Sequence, residues 1–356
     1  MGLLQQSFEK PSIQKESSIL GQLFSSPLIR GFYKDEKPVI DFKIEGKNFE
    51  KRRMVSLINT IANSSPTGRK ILEDAAKNGY SLGFKTQSDS FGFCDEAKKI
   101  IRLNPRSNDA KLITTLAHEA RHTQQHMTGI SNDRCHYDVA TELKLRRATE
   151  ADAQAAAAQT ALEIRAATKN DSVWNSFKKT YSKLSSGIKE PPLSKSLDDV
   201  VKDSDKHMQD AFKGWFNQAG LISSYEIGYM YAYIYAIEYN SKLKAFKDLP
   251  FEGSLSSADI LKTICVNAKG QSYFADDLNI MEREPEMCGI STETRSAVKR
   301  FFEDREKLTG KPQDKSYENL PDRGSLFKHR VRSQTRHAEQ KPLSAQMVAA
   351  LKNKTR

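Results

Sequence analysis

The pentapeptide His118-Glu119-Ala120-Arg121-His122 constrains this chain more than any other feature, because its residue types cooperate only on a helix. A helix sets residues four apart on one face, about 40° from alignment, so two imidazoles at this spacing can face a single point. The intervening Glu119 projects about 100° round from His118, near that point but not on it. The surrounding stretch, 108–127, has the matching periodicity. Leu112, Ile113, Leu116, Ala120 and Met127 fall roughly opposite the histidines, while His118, Arg121, His122 and Gln125 share the other face. Ser107 or Asn108 can cap the helix start, and Gly129 can end it. A surface helix commits one face; this one commits two.

HExxH spacing suits a zinc ion held by both histidines, with the glutamate as base toward a water at the metal. The chain has seven histidines, so a chance match must be weighed, and the third ligand is the test. A metzincin would carry a glycine and a third histidine where this chain has Gln125 and Thr128, so that class is excluded. His126 continues the row but lies about 12 Å along the axis from His118, too far to share one ion. A glutamate from a following helix is the other solution. Glu142 and Glu150 stand 20 and 28 residues beyond His122. Glu150 is favoured, because the small residues Ala151, Ala153 and Ala155–Ala158 beside it let two helices approach closely; high helix propensity alone would also explain the alanines.

The run ITTLAHEARHTQQ followed by RRATEADAQA resembles the small bacterial gluzincins, where HExxH precedes an E-x-[DE]-A segment on the next helix. It is similar, more closely, to a bacterial metallopeptidase family of unassigned substrate. There a strand plus Asn-Pro, here IIRLNP, leads into an H-E-x-R-H-x-x-Q helix. The similarity covers about 49–243, including the aromatic run SSYEIGYMYAYIYAIEY. It implies Zn2+ held by His118, His122 and Glu150, Glu119 as catalytic base, and a protein or peptide substrate. It also implies that the strand at 99–103 pairs with an extended substrate.

Other residues carry weaker signals. Arg121 and Gln125 share the histidine side, where they either orient a ligand, touch substrate or form a salt-bridged helix face. Asp152 points to a different side of its helix from Glu150, which suits a contact with arginine better than ligation. Tyr225, Tyr229 and His207 are candidate electrophiles for a developing oxyanion, although packing is the commoner fate of such residues.

The expected fold class is α+β, a mostly helical, minigluzincin-like core with a small hairpin or sheet before the HExxH helix. Strands are expected at 81–86, 90–94 and 99–103. Helices are expected near 49–64 and 66–78, and at 108–127, 137–168, 172–184, 203–216, 225–244 and 292–308, with a linker at 185–195. The division is an irregular arm (1–48), a metallopeptidase-like domain (49–308) and a basic, disordered tail (309–356) with a short helix at 345–351. The tail holds eleven Lys/Arg against four Asp/Glu, so +7 of the net +11 sits there and the body is only mildly basic. No specific nucleic acid is therefore expected as partner. The tail admits readings as a solvated segment, a nucleic-acid or acidic-lipid contact, or an export signal.

Four scattered cysteines without a CxxC pair suit free thiols. With no secretory signal and no run long enough to span a bilayer, the chain is expected in the cytoplasm where it is made. Release by a non-classical system, as a bacterial effector acting on a host protein, is an additional expectation. The rivals are an inactive metal-binding scaffold and a tail-driven nucleic-acid or membrane binder.

Overall fold

In the computed structural model, which describes residues 33–88, 90–130, 137–218, 220–222, 225–226 and 253–324, short strands come first and helices follow. β1 (Lys43–Ile44), β2 (Ser81–Phe84), β3 (Gly92–Asp95) and β4 (Ile100–Leu103) form one sheet in the order β1-β2-β4-β3. β3 and β4 are the expected hairpin, with Cys94 opposite Ile101. Its tight turn is held by the Lys98 N–H donating to Asp95 Oδ1 at 3.0 Å, with Lys99 left-handed at φ 49°. β4 also pairs in parallel with β2. Both edges of β4 are thus occupied, which corrects the expectation that 99–103 would pair with a substrate. The outer strand on that side is β3.

β1 lies in the stretch read as an irregular arm. Ile40 and Phe42 are buried there, and Lys43 pairs with Ser81. A two-residue strand is too short to show alternation, which is why the sequence hid it. Residues 1–32 lie outside the described residues.

The helical body begins with α1 (Asn48–Ser64) and α2 (Pro66–Lys77), joined at Ser65, which ends the first and caps the second by accepting from the Gly68 N–H. α3 (Asp109–Met127) carries HExxH and is capped by Asn108, whose side chain accepts from the Lys111 N–H. Leu112, Leu116 and Ala120 of α3 are fully buried, each leucine contributing about 1.5–3 kcal/mol. α4 (Val139–Thr168) follows, with Asp138 as cap and Lys169 closing it at φ 56°. Every side chain of 151–166 on α4 is buried, so it runs through the centre and needs no polar face. After the shorter α5 (Ser172–Thr180) and two helical turns at Ser182–Ser185 and Leu197–Lys202 comes α6 (Ser204–Trp215), and the alanines of α4 allow α3 and α6 to close on it. The helix expected over 172–184 is interrupted at Tyr181, which is non-helical at ψ 53°. The helix expected over 225–244 lies, apart from residues 225–226, outside the described residues.

α7 (Thr292–Thr309) and the chain after it build a second, smaller apolar cluster with the first turns of α4, comprising Val139, Leu143, Ile290, Val298, Phe301, Phe302 and Tyr317. Residues 310–324, which composition reads as tail, are folded here. Asp314 Oδ2 accepts from the Val139 N–H at 2.6 Å, and Ser316 Oγ accepts from Ala140 at 3.1 Å, filling orphan donors at the α4 N-terminus. Low hydrophobicity hid this because the segment is held by caps and one buried tyrosine. Residues 325–356, with the helix expected at 345–351, lie outside the described residues. Among the described residues no helix is long and apolar enough to cross a membrane, and Cys94, Cys265 and Cys288 are free thiols.

Candidate metal centre

α3 and α4 bring four side chains to one spot. The Nε2 atoms of His118 and His122 are 3.2 Å apart, their rings perpendicular at 89°. Glu150 reaches over from α4, with Oε2 3.6 Å from His118 Nε2 and Oε1 3.8 Å from His122 Nε2. The donor atoms of His118, Glu119 and His122 also lie within 4.8 Å of one another. An ion bonding nitrogen at 2.0–2.1 Å in tetrahedral geometry would separate two such nitrogens by about 3.3 Å. The histidine pair meets that spacing, and Glu150 needs only a few tenths of an ångström to follow. The residues therefore fit a divalent metal of zinc's kind. Glu142, the alternative third ligand, is buried in the first turn of α4 beside Arg146 and takes no part in this group.

The protonation states suit ligation. Burial, and then His122, hold the His118 imidazole well below its ordinary value, against an opposing contribution from the Ala153 backbone, so it is neutral. The state of His122 follows from its hydrogen bonds. Gln125 Nε2 donates to Asp152 Oδ2 at 2.7 Å and to the Thr149 carbonyl at 2.9 Å, which turns Gln125 Oε1 toward His122 Nδ1 at 2.7 Å. An amide oxygen only accepts, so Nδ1 is the donor in this contact and Nε2 is the atom that faces His118 and Glu150.

Asp152 anchors that relay. It accepts from Arg121 Nε at 2.7 Å and Nη2 at 3.0 Å, and from the Tyr273 hydroxyl at 2.9 Å. Arg121 Nη2 also donates to the carbonyls of Ile264 and Val266, tying the centre to a distant segment. Tyr273 had no sequence signal, since it stands 121 residues from Asp152 and belongs to no motif.

Glu119 lies under β3. Its carboxyl is pushed well above the usual range by burial and then by the neighbouring charge of Glu150, while a backbone hydrogen bond from Cys94 opposes the rise. β3 comes this close because residue 92 is glycine. A Cβ there would stand 2.8 Å from Thr115 Cγ2 and 3.1 Å from Glu119 Cγ. His118 and Glu150 keep 12% and 15% of their side-chain surface exposed, so solvent reaches one side of the group.

The other sequence candidates lie elsewhere. Tyr225 is half-buried against Trp215, with ring centroids 6.3 Å apart. His207 Nδ1 bonds Gln159 Oε1 at 3.1 Å, nine residues and about 13 Å down α4 from Glu150. Tyr229 falls outside the described residues.

An HExxH helix and a glutamate-bearing neighbour, packed beside a small sheet, are the parts of a metallopeptidase. Residues 34–275 match the family described as "Putative metallopeptidase family (DUF6782)", about two thirds of the chain, and the chain belongs to that family. Neither a curated protein nor a solved structure matches it.

Proposed function

We propose that this protein is a zinc-dependent, gluzincin-like peptidase in which His118, His122 and Glu150 hold the metal and Glu119 is the general base. The observation that carries the proposal is the meeting of three donors from two helices at metal-compatible spacing. Glu150 is preferred to Glu119 as third ligand because each of its oxygens faces a different histidine, while Glu119 sits one position from His118 on the same helix.

Zinc bound there supplies a Lewis acid that acidifies a water and polarises the scissile carbonyl. Glu119 accepts a proton from the attacking water and delivers it to the departing amide nitrogen. Its raised affinity for protons favours the second transfer, and a cation held by the neighbouring donors would oppose that rise and so favour the first. Arg121, Asp152 and Gln125 keep His122 in the ligating tautomer. The partial exposure of His118 and Glu150 favours an open catalytic site over a closed structural one, and so favours the enzyme over the inactive scaffold.

The decisive experiment pairs metal analysis with a broad peptide-substrate screen of Glu119→Gln. One zinc per chain should remain while activity falls by about 10²-fold or more. A variant that keeps both zinc and full activity would remove Glu119 from the mechanism.

A further inference from the structure

A second charged cluster, away from the metal group, is out of balance. Glu226 Oε1 accepts from Arg147 Nε of α4 and from Arg323 Nη2 of the C-terminal segment, and Glu226 Oε2 accepts from Thr294 Oγ1 at 2.9 Å in the first turn of α7. Arg147 Nη1 donates to the Met287 carbonyl at 2.8 Å. Two guanidinium groups thus share one carboxylate, leaving a formal +1 in a place where Arg147, Glu226 and Arg323 expose only 2%, 3% and 11% of their side chains. Two donors are left over: Arg147 Nη2 and Arg323 Nε are buried and have no hydrogen-bond partner among the described residues. The positive end of α7 adds to the excess.

Buried charge without a counter-charge is expensive, and buried cationic donors without acceptors more so. Burial draws the Arg147 guanidinium down to about 10, with Glu226 opposing and Arg323 reinforcing the fall. An acceptor carrying one negative charge would satisfy both the charge and the two leftover N–H groups. Packing along the Arg323 stem is close, since a Cβ on Gly289 would stand 2.6 Å from Arg323 Cγ and 3.0 Å from the Pro321 carbonyl, which favours a small occupant.

From this we infer that Arg147 and Arg323 form a halide-sized anion site which ties α4 to the C-terminal segment, independently of the peptidase reading. The occupant belongs to the class of small monovalent anions, with chloride as the probe. Glu226 supplies the fixed part of the counter-charge, the anion the rest.

The test is thermal unfolding of the full chain, its metal content held constant, as sodium gluconate is replaced by sodium chloride at fixed ionic strength. Chloride at ten times its dissociation constant should raise Tm by about 2 °C, the rise following the logarithm of its concentration. Arg323→Gln should lose most of that shift, while Arg323→Lys, which keeps the charge, should retain part of it. Should Arg323→Gln fail to fold, bromide in crystals of the unaltered protein gives the direct readout, as anomalous density against Arg147 Nη2 and Arg323 Nε. Coincident chloride and gluconate curves, a full shift in Arg323→Gln, or bromide on the outer surface only, an adventitious ion only, would each overturn the inference.

Discussion

Two buried histidines in this protein have nearly the same hydrogen-bonded surroundings, yet only one belongs to the metal group. His122 Nδ1 faces Gln125 Oε1, and Gln125 Nε2 donates to Asp152. His207 Nδ1 faces Gln159 Oε1, and Gln159 Nε2 donates to Glu163 Oε1 at 2.8 Å. Each glutamine reads a carboxylate on one side and so fixes the histidine tautomer on the other. The difference lies at the second nitrogen. His122 Nε2 meets His118 and Glu150, whereas among the described residues His207 joins no group of metal-compatible donors. The carboxylates differ in task as well. Asp152 is bound to Arg121, while Glu163 accepts from Ser65 Oγ, Thr67 Oγ1 and the Thr67 N–H and so caps α2. The same relay orients a histidine of the candidate metal centre in one place and joins helices in the other. What separates a candidate ligand from a satisfied core histidine is the company of its second nitrogen.

The largest expected effect separates the two histidines outright. His122→Gln should reduce bound zinc to near zero, while His207→Gln should leave one zinc per chain, both read by elemental analysis of dialysed protein. Loss of zinc in both variants would break the distinction. Next come the glutamines. Gln125→Ala should weaken zinc binding about 10–100-fold in a chelator competition. Gln159→Ala should leave zinc affinity alone and lower stability by about 1–3 kcal/mol in denaturant unfolding, since Glu163 and His207 would each lose a buried partner. Equal zinc affinities in the two variants would reduce Gln125 to a packing residue.

Gly92→Val tests the approach of β3. It should lower peptidase activity with little change in zinc content, because it crowds Glu119 and not the histidines. Retained activity would mean that β3 can withdraw without disturbing the base.

The smallest effect is in pH. Burial lowers the His207 pKa below its ordinary 6.5, with Asp203 opposing and Lys195 reinforcing. The unfolded chain then binds the proton more readily than the folded one. The stability owed to neutral His207 is therefore present above about pH 6.5 and is lost as pH falls from there toward the depressed value. Tm should decline more steeply between pH 7 and 5 in the unaltered protein than in His207→Gln. Parallel profiles would show that His207 does not titrate across that window.

The α+β class, the HExxH helix and its Asn108 cap were legible in the sequence, because each is written within a few turns of chain. So was the hairpin, through its apolar runs and polar turn. Tyr273 was not legible, nor was the folding of 310–324 onto the start of α4. Neither carries a periodic pattern, and both depend on partners more than a hundred residues away.

Local spacing, then, determined by itself that His118 and His122 share a face and that Glu119 stands beside them, since a helix fixes those angles whatever surrounds it. The sequence also narrowed the third donor to Glu142 or Glu150. Only the tertiary structure sets one of them beside the histidines, because helix crossing depends on how whole faces pack, and the alanines of α4 bring Glu150 to α3 while Glu142 stays about 12 Å away along the axis. The tertiary structure alone also turned Gln125 toward His122, closed both edges of β4 and set two arginines on one carboxylate. Those outcomes are settled by long-range contacts, which no local pattern encodes.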